Sequence, residues 1–150
     1  TIILIIIYNM ILMLTGQPGS GKTTIAKELI KDSINTVILD GDMLRVMFNN
    51  YDYTKIGREI NFNNLLLLIK VFDEMGYNII IAMVLPYQKL RNIIKSLYET
   101  IEIFLSTSEI RGKENFHVLN YEKSINNYTE IDTTDISIEN VIKLIKLEYK

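Results

Sequence analysis

Eight consecutive residues constrain this chain more than any others: Gly16, Gln17, Pro18, Gly19, Ser20, Gly21, Lys22 and Thr23. They follow the pattern Gly, four residues, Gly, Lys, then Ser or Thr. Their flanks give the pattern its meaning. The apolar run Met10–Thr15 enters it, and Lys22–Asp32 leaves it with Ile25, Ala26, Leu29 and Ile30 at helical spacing. A buried strand, a glycine loop and an amphipathic helix in that order form a phosphate cradle. Glycines let successive backbone N–H groups turn inward, and the helix N-terminus adds partial positive charge. Lys22 is expected to reach the β- and γ-phosphates of a nucleoside triphosphate, and the Thr23 hydroxyl to help hold Mg²⁺. Residues 16 to 23, with Thr24, are therefore the expected binding segment for the ATP phosphates.

The remaining pattern extends this unit into one domain. Apolar strands are expected over Thr36–Leu39, Asn78–Val84, Ile101–Leu105 and Tyr128–Asp132, and helices over Ile60–Met75, Tyr87–Leu97 and Ser137–Lys146. Strands alternating with helices imply a mostly parallel sheet with helices on both faces. The expected fold is a three-layer α/β/α P-loop NTPase fold with about five strands, and 150 residues suffice for one such domain. No linker or repeat divides the chain.

Composition narrows the ligands. A net charge of −2 gives no electrostatic footprint for nucleic acid or an anionic membrane. There is no cysteine and a single histidine, His117, so a thiolate or imidazole-rich metal site is not expected. These features fit a cytoplasmic protein. Residues 1–14 are almost continuously apolar but shorter than the roughly 20 residues a spanning helix needs. The expectation is that residues 1–9 are an extra strand or a misassigned start upstream of Met10, an appendage without function.

The acidic metal contact has an unusual place. The strand Asn78–Val84 runs into Leu85, Pro86 and Tyr87 with no acid at its end. Carboxylates stand instead after the second strand, as Asp40 and Asp42 around Gly41. Loops at the C-terminal ends of parallel strands face the ligand crevice, which puts both near the phosphates. The same three residues could simply turn the chain and cap a short helix. Beyond them come Arg45, Arg58 and Asn61. A guanidinium fork suits sulfate, phosphate or carboxylate, although a solvated surface charge is the ordinary fate of an arginine.

Taken together, the 16–24 segment, Leu39 through Arg45, Gly57 through Asn61, and Leu85, Pro86 and Tyr87 with Arg91 resemble the adenylylsulfate kinase family. A weaker likeness continues through Ser108, Glu109, Arg111, Phe116, Tyr121, Glu122 and Ile131 to Thr133. The resemblance implies transfer of the ATP γ-phosphoryl group to the ribose 3′-hydroxyl of adenylylsulfate. It implies that Asp42 binds Mg²⁺ or orients that hydroxyl. Asp40, Arg45, Arg58, Asn61, Leu85 and Pro86 would form the acceptor site. Tyr53 and Phe116 would stack on the two faces of the acceptor adenine. The basic lid of the family is nearly deleted: after Arg111 come only Gly112, Lys113, Glu114 and Asn115 before Phe116. Lys22, Asp42 and Arg111 are then the expected catalytic groups, with Arg111 compensating transition-state charge. The family often dimerises, so the resemblance allows a homodimer. Two other readings stay open: a P-loop kinase for another small hydroxyl acceptor, such as a nucleoside, sugar or antibiotic, and a nucleotide-binding protein that lost turnover with its lid.

Overall fold

The computed structural model describes residues 9–109 and 111–148. The expectation for residues 1–9 lies outside this range except for Asn9, whose side chain donates to the Asp73 carbonyl. Five parallel strands form one sheet in the order β2-β3-β1-β4-β5: β1 Ile11–Thr15, β2 Thr36–Asp40, β3 Asn78–Ala82, β4 Thr100–Ser106 and β5 Thr129–Asp132. β1 is central because all five of its residues are buried, as a strand covered on both faces requires.

Alternation along the strands divides the core into two layers. Ile11 and Met13 of β1, with Ile79 and Ile81 of β3, pack beneath Leu44, Phe62, Leu65, Ile69, Leu90 and Ile94. These come from α2 (Gly41–Met47), α3 (Lys55–Glu74) and α4 (Gln88–Leu97). Leu12 and Leu14, with Ile80 and Ala82, face Ile25, Ala26, Leu29, Val141, Ile142 and Ile145. Those belong to α1 (Lys22–Leu29) and α5 (Ile138–Leu147). The three-layer architecture with helices on both faces is thus as expected.

Several boundaries differ from the sequence reading, each for a local reason. α3 begins at Lys55 rather than Ile60, because Thr54 caps it by accepting from the Gly57 N–H. Its first turn packs on a loop rather than on the core, so apolar spacing is silent there. A Cβ on Gly57 would lie 2.0 Å from the Asp52 carbonyl oxygen, so only glycine lets that loop cross the helix. β3 stops at Ala82, where pairing with β2 ends at Asp40, and Leu85 then takes a left-handed φ of 41°. The helix after the P-loop closes with a 3₁₀ turn over Ile30–Asp32.

Candidate active site

The C-terminal ends of β1, β2 and β3 open onto a cleft of about 660 Å³. Its lining includes Gly19, Lys22, Thr23, Asp40, Asp42 and Arg45. Tyr53, Arg58, Asn61, Leu85, Pro86, Arg111 and Phe116 line it as well. Residues from five separate stretches of chain meet there because parallel strands all deliver their following loops to the same edge of the sheet.

The P-loop forms the floor. Gly16 has a φ of 139°, and a Cβ there would lie 2.3 Å from the Leu105 carbonyl oxygen, so backbone conformation and space both demand glycine. Gly19 and Gly21 also have positive φ. The Lys22 ammonium donates to the Gly16 carbonyl at 2.9 Å, the Gln17 carbonyl at 2.8 Å and the Ser20 hydroxyl at 3.2 Å. Burial pulls its pKa down to about 8, against the opposing pull of the Asp40 and Asp42 carboxylates. A polyphosphate beside the ammonium favours the charged form and raises this pKa again. Magnesium nucleotide binding should therefore take up about half a proton per site at pH 8, and only about a tenth at pH 7. Calorimetry in buffers of different ionisation enthalpy reads this number directly. Uptake that does not grow between pH 7 and pH 8 would refute it.

Asp40 caps the next helix and also reaches the P-loop. Its Oδ1 accepts from the backbone N–H groups of Asp42 and Met43, capping α2. Its Oδ2 accepts from the Thr23 hydroxyl at 2.5 Å. A hydroxyl and a carboxylate oxygen side by side are hard donors of the kind Mg²⁺ prefers. No cluster of three or more His, Cys, Asp or Glu with metal-binding potential occurs among the described residues. Two protein oxygens fit Mg²⁺, which commonly keeps several waters and takes its remaining ligands from phosphates. The sequence reading favoured Asp42 with Thr23 for this role; the carboxylate in contact with Thr23 is that of Asp40. Asp42 is exposed to the cleft one helical step away.

The far end of the cleft is cationic and aromatic. Arg45 is buried, and its Nη1 donates to the carbonyls of Asn50 and Asp52 at 3.0 and 2.9 Å. The guanidinium lies over the Tyr53 ring, 4.0 Å from its centroid. Arg45 is thus first a brace for the loop that carries Tyr53. Arg58 donates from Nε to the Tyr53 carbonyl and sits 5.7 Å from the same ring. Burial, and then the charge of Arg45, lowers its pKa below the usual arginine value. Two guanidiniums that repel one another in a partly buried cleft are relieved by an anion. Asn61 is buried, lines the cleft, and its Oδ1 has no hydrogen-bond partner. An unpaired buried acceptor costs roughly 1–3 kcal/mol, so a ligand that donates to it recovers that cost.

Two expectations need adjustment. Tyr53 and Phe116 do meet, but their centroids are 5.2 Å apart with planes tilted by 56°. A base between two parallel rings needs about 7 Å, twice the contact distance of carbon atoms. As they stand, the rings fill the slot themselves. Arg111 is committed to structure: its Nε donates to Glu109, its Nη1 to the Gly19 carbonyl and its Nη2 to the Thr133 carbonyl. It braces the P-loop at Gly19 from the wall of the cleft. Leu85 and Pro86 turn their carbonyls away from the cleft, to Arg91 and to the Glu122 N–H.

The sequence reading gave no role to Glu102, buried in mid-strand β4. Its carboxylate pairs with Arg91, at 3.3 Å, with Lys95, and with the Ser124 hydroxyl. Arg91 in turn donates to the Leu85 carbonyl at 2.5 Å, to the Gln88 side chain and to the Glu122 carbonyl. This network holds the loop after β3 against residues 121–124. A lone Glu in an apolar strand was the available signal, since such a residue stays buried only if paired.

The comparisons with known proteins agree with this geometry. The family model described as adenylylsulphate kinase matches residues 8–134. An adenylyl-sulfate kinase of Thermodesulfovibrio yellowstonii is 28% identical over 135 residues, covering 82% of this chain and 68% of that protein. One of Pseudomonas entomophila is 31% identical over 131 residues, covering 79% of this chain and 63% of that protein. The chain therefore spans only about two thirds of the length of these curated relatives. Among solved structures, the Mycobacterium tuberculosis APS kinase CysC in complex with AMPPNP and APS superposes with a TM-score of 0.79 at 19% identity. That likeness covers 94% of this chain and 98% of the other, and it establishes the fold. With its P-loop, its Asp40–Thr23 pair and a family match running through most of its length, this chain belongs to the adenylylsulfate kinase family.

Proposed function

We propose that the protein transfers the γ-phosphoryl group of ATP to the 3′-hydroxyl of adenylylsulfate. The observation that carries this reading is one cleft in which a phosphate cradle at one end faces Arg45, Arg58, Tyr53 and Asn61 at the other. A phosphosulfate ester of adenosine has the matching parts: two adjacent anionic groups, a purine and ribose hydroxyls.

Each residue then has a defined task. Backbone N–H groups of residues 16–23 and the Lys22 ammonium bind the triphosphate, with Lys22 exchanging its P-loop carbonyls for phosphate oxygens. Thr23 and Asp40 would hold Mg²⁺, which when bound neutralises charge on the β- and γ-phosphates. Asp42 accepts a hydrogen bond from the acceptor hydroxyl and holds it in line with the γ-phosphorus. Arg58 and Arg45 face the acceptor's sulfate and phosphate, and Asn61 accepts from a ligand donor. Tyr53 and Phe116 part to receive the purine. Arg111 fixes the P-loop backbone at Gly19, so the amides keep their aim.

The test is turnover with γ-labelled ATP, magnesium and a panel of acceptors. The expected result is label on adenylylsulfate and none on nucleosides, sugars or aminoglycosides. Label on another acceptor would overturn the acceptor assignment. Nucleotide binding with no transfer at all would show a protein that has lost turnover with its lid.

A further inference from the structure

Gln17 sits inside the P-loop, yet its side chain serves another segment. Its Nε2 donates to the Val118 carbonyl at 2.7 Å, and its Oε1 accepts from the Val118 N–H at 2.9 Å. The two bonds fix the orientation of the carboxamide, because one partner can only accept and the other only donate. They also close a contact between residues 101 positions apart.

The segment reached in this way has little else to hold it. Between Arg111 and Tyr121 the backbone bonds Phe116 N–H to Lys113 and His117 N–H to Glu114 are internal to one turn. Among the described residues, Gln17 makes the only hydrogen bonds from residues 112–120 to the rest of the molecule. Among the described residues, its one ring contact with another part of the fold is Phe116 on Tyr53. Phe116 stands two residues before the clamp. Without the clamp, a run of nine residues would hang between Arg111 and Tyr121, and seating Phe116 would require ordering it at each binding event.

We propose that Gln17 is a positioning residue for the acceptor: its carboxamide clamps the Val118 backbone to the P-loop and so holds Phe116 at the acceptor end of the cleft. This rests on the adenylylsulfate reading above. In place of a long lid, the chain uses one amide side chain to fasten a short segment over the site. The phosphates are gripped by backbone amides, so the donor does not depend on this side chain.

The experiment is steady-state kinetics of the full chain carrying Gln17→Leu, which keeps the side chain's bulk and removes both bonds. The acceptor KM should rise about tenfold, as expected for two lost hydrogen bonds, and by a clearly larger factor than any loss of affinity for ADP. Phe116→Ala should raise the same KM, and Gln17→Leu combined with Phe116→Ala should be no worse than Phe116→Ala alone. An unchanged acceptor KM in Gln17→Leu overturns the proposal, and so does a fully additive double variant. A loss of ADP affinity equal to the loss of acceptor affinity also overturns it, since that would mark a role in P-loop folding. If the wild-type protein itself fails to phosphorylate adenylylsulfate, the functional reading fails first, a result distinct from active wild type with an indifferent Gln17→Leu.

Discussion

Lys22→Met should lower kcat for phosphoryl transfer by at least about 10²–10³-fold and leave the fold intact. The scale follows from removing one preorganised charge aimed at the transferring group. The fold survives because the Lys22 ammonium bonds only to oxygens of its own loop, at Gly16, Gln17 and Ser20. A buried ammonium is also a burden on the folded state: even with the Asp40 and Asp42 carboxylates nearby, burial pulls its pKa down to about 8. Methionine fits the same channel without that desolvation. The measurement is a single-turnover rate beside a thermal melt. A variant that kept more than about a tenth of the wild-type rate would remove Lys22 from the chemistry. A variant that failed to fold would contradict the local nature of its contacts.

Glu102→Ala should be the most damaging single change to stability, at roughly 3–5 kcal/mol. The carboxylate is the common partner of Arg91, Lys95 and Ser124. Arg91 is fully buried, and removing Glu102 leaves its guanidinium in the interior without a counter-charge. A domain of this size has about 5–15 kcal/mol in total, so the loss is a large fraction. At about 2–4 °C per kcal/mol, the melting temperature should fall by roughly 6–20 °C. The exposed pair of Lys31 and Glu28 gives the contrast, since deleting it should cost less than about 1 kcal/mol. Denaturant melts of the two variants make the comparison. Equal losses would mean that the buried network is no more than a surface pair in energetic terms.

Legibility in the sequence followed the distance over which each cause acts. The P-loop could be read because its parts are consecutive: an apolar strand, three glycines at fixed spacing, a lysine and a helix. The central strands could be read because the unbroken apolar runs Ile11–Leu14 and Ile79–Ala82 report burial on both faces. The start of α3 was misplaced by five residues, since its first turn packs on the loop ending at Tyr53 and carries no apolar period. Spacing alone does not tell which of two acids on a turn points at Thr23; in the fold the carboxylate that accepts from Thr23 is that of Asp40, whose other oxygen caps α2. Tyr53 and Phe116, far apart in sequence, do meet in the fold, but the 5.2 Å between their rings depends on packing and could not be read from residue order.

Residue order by itself determined the phosphate cradle, the parallel three-layer fold and the family, because those depend on neighbours in the chain and on the period of apolar residues. Only the tertiary structure decided what Gln17, Arg45, Arg111 and Glu102 do. Each of them is spent on a backbone or a charge delivered from elsewhere in the fold: Val118 for Gln17, the Tyr53 loop for Arg45, Gly19 and Thr133 for Arg111, and Arg91 with Ser124 for Glu102. A side chain's role is set by the groups within about 3 Å of its polar atoms, and those groups are chosen by how the strands order themselves in the sheet.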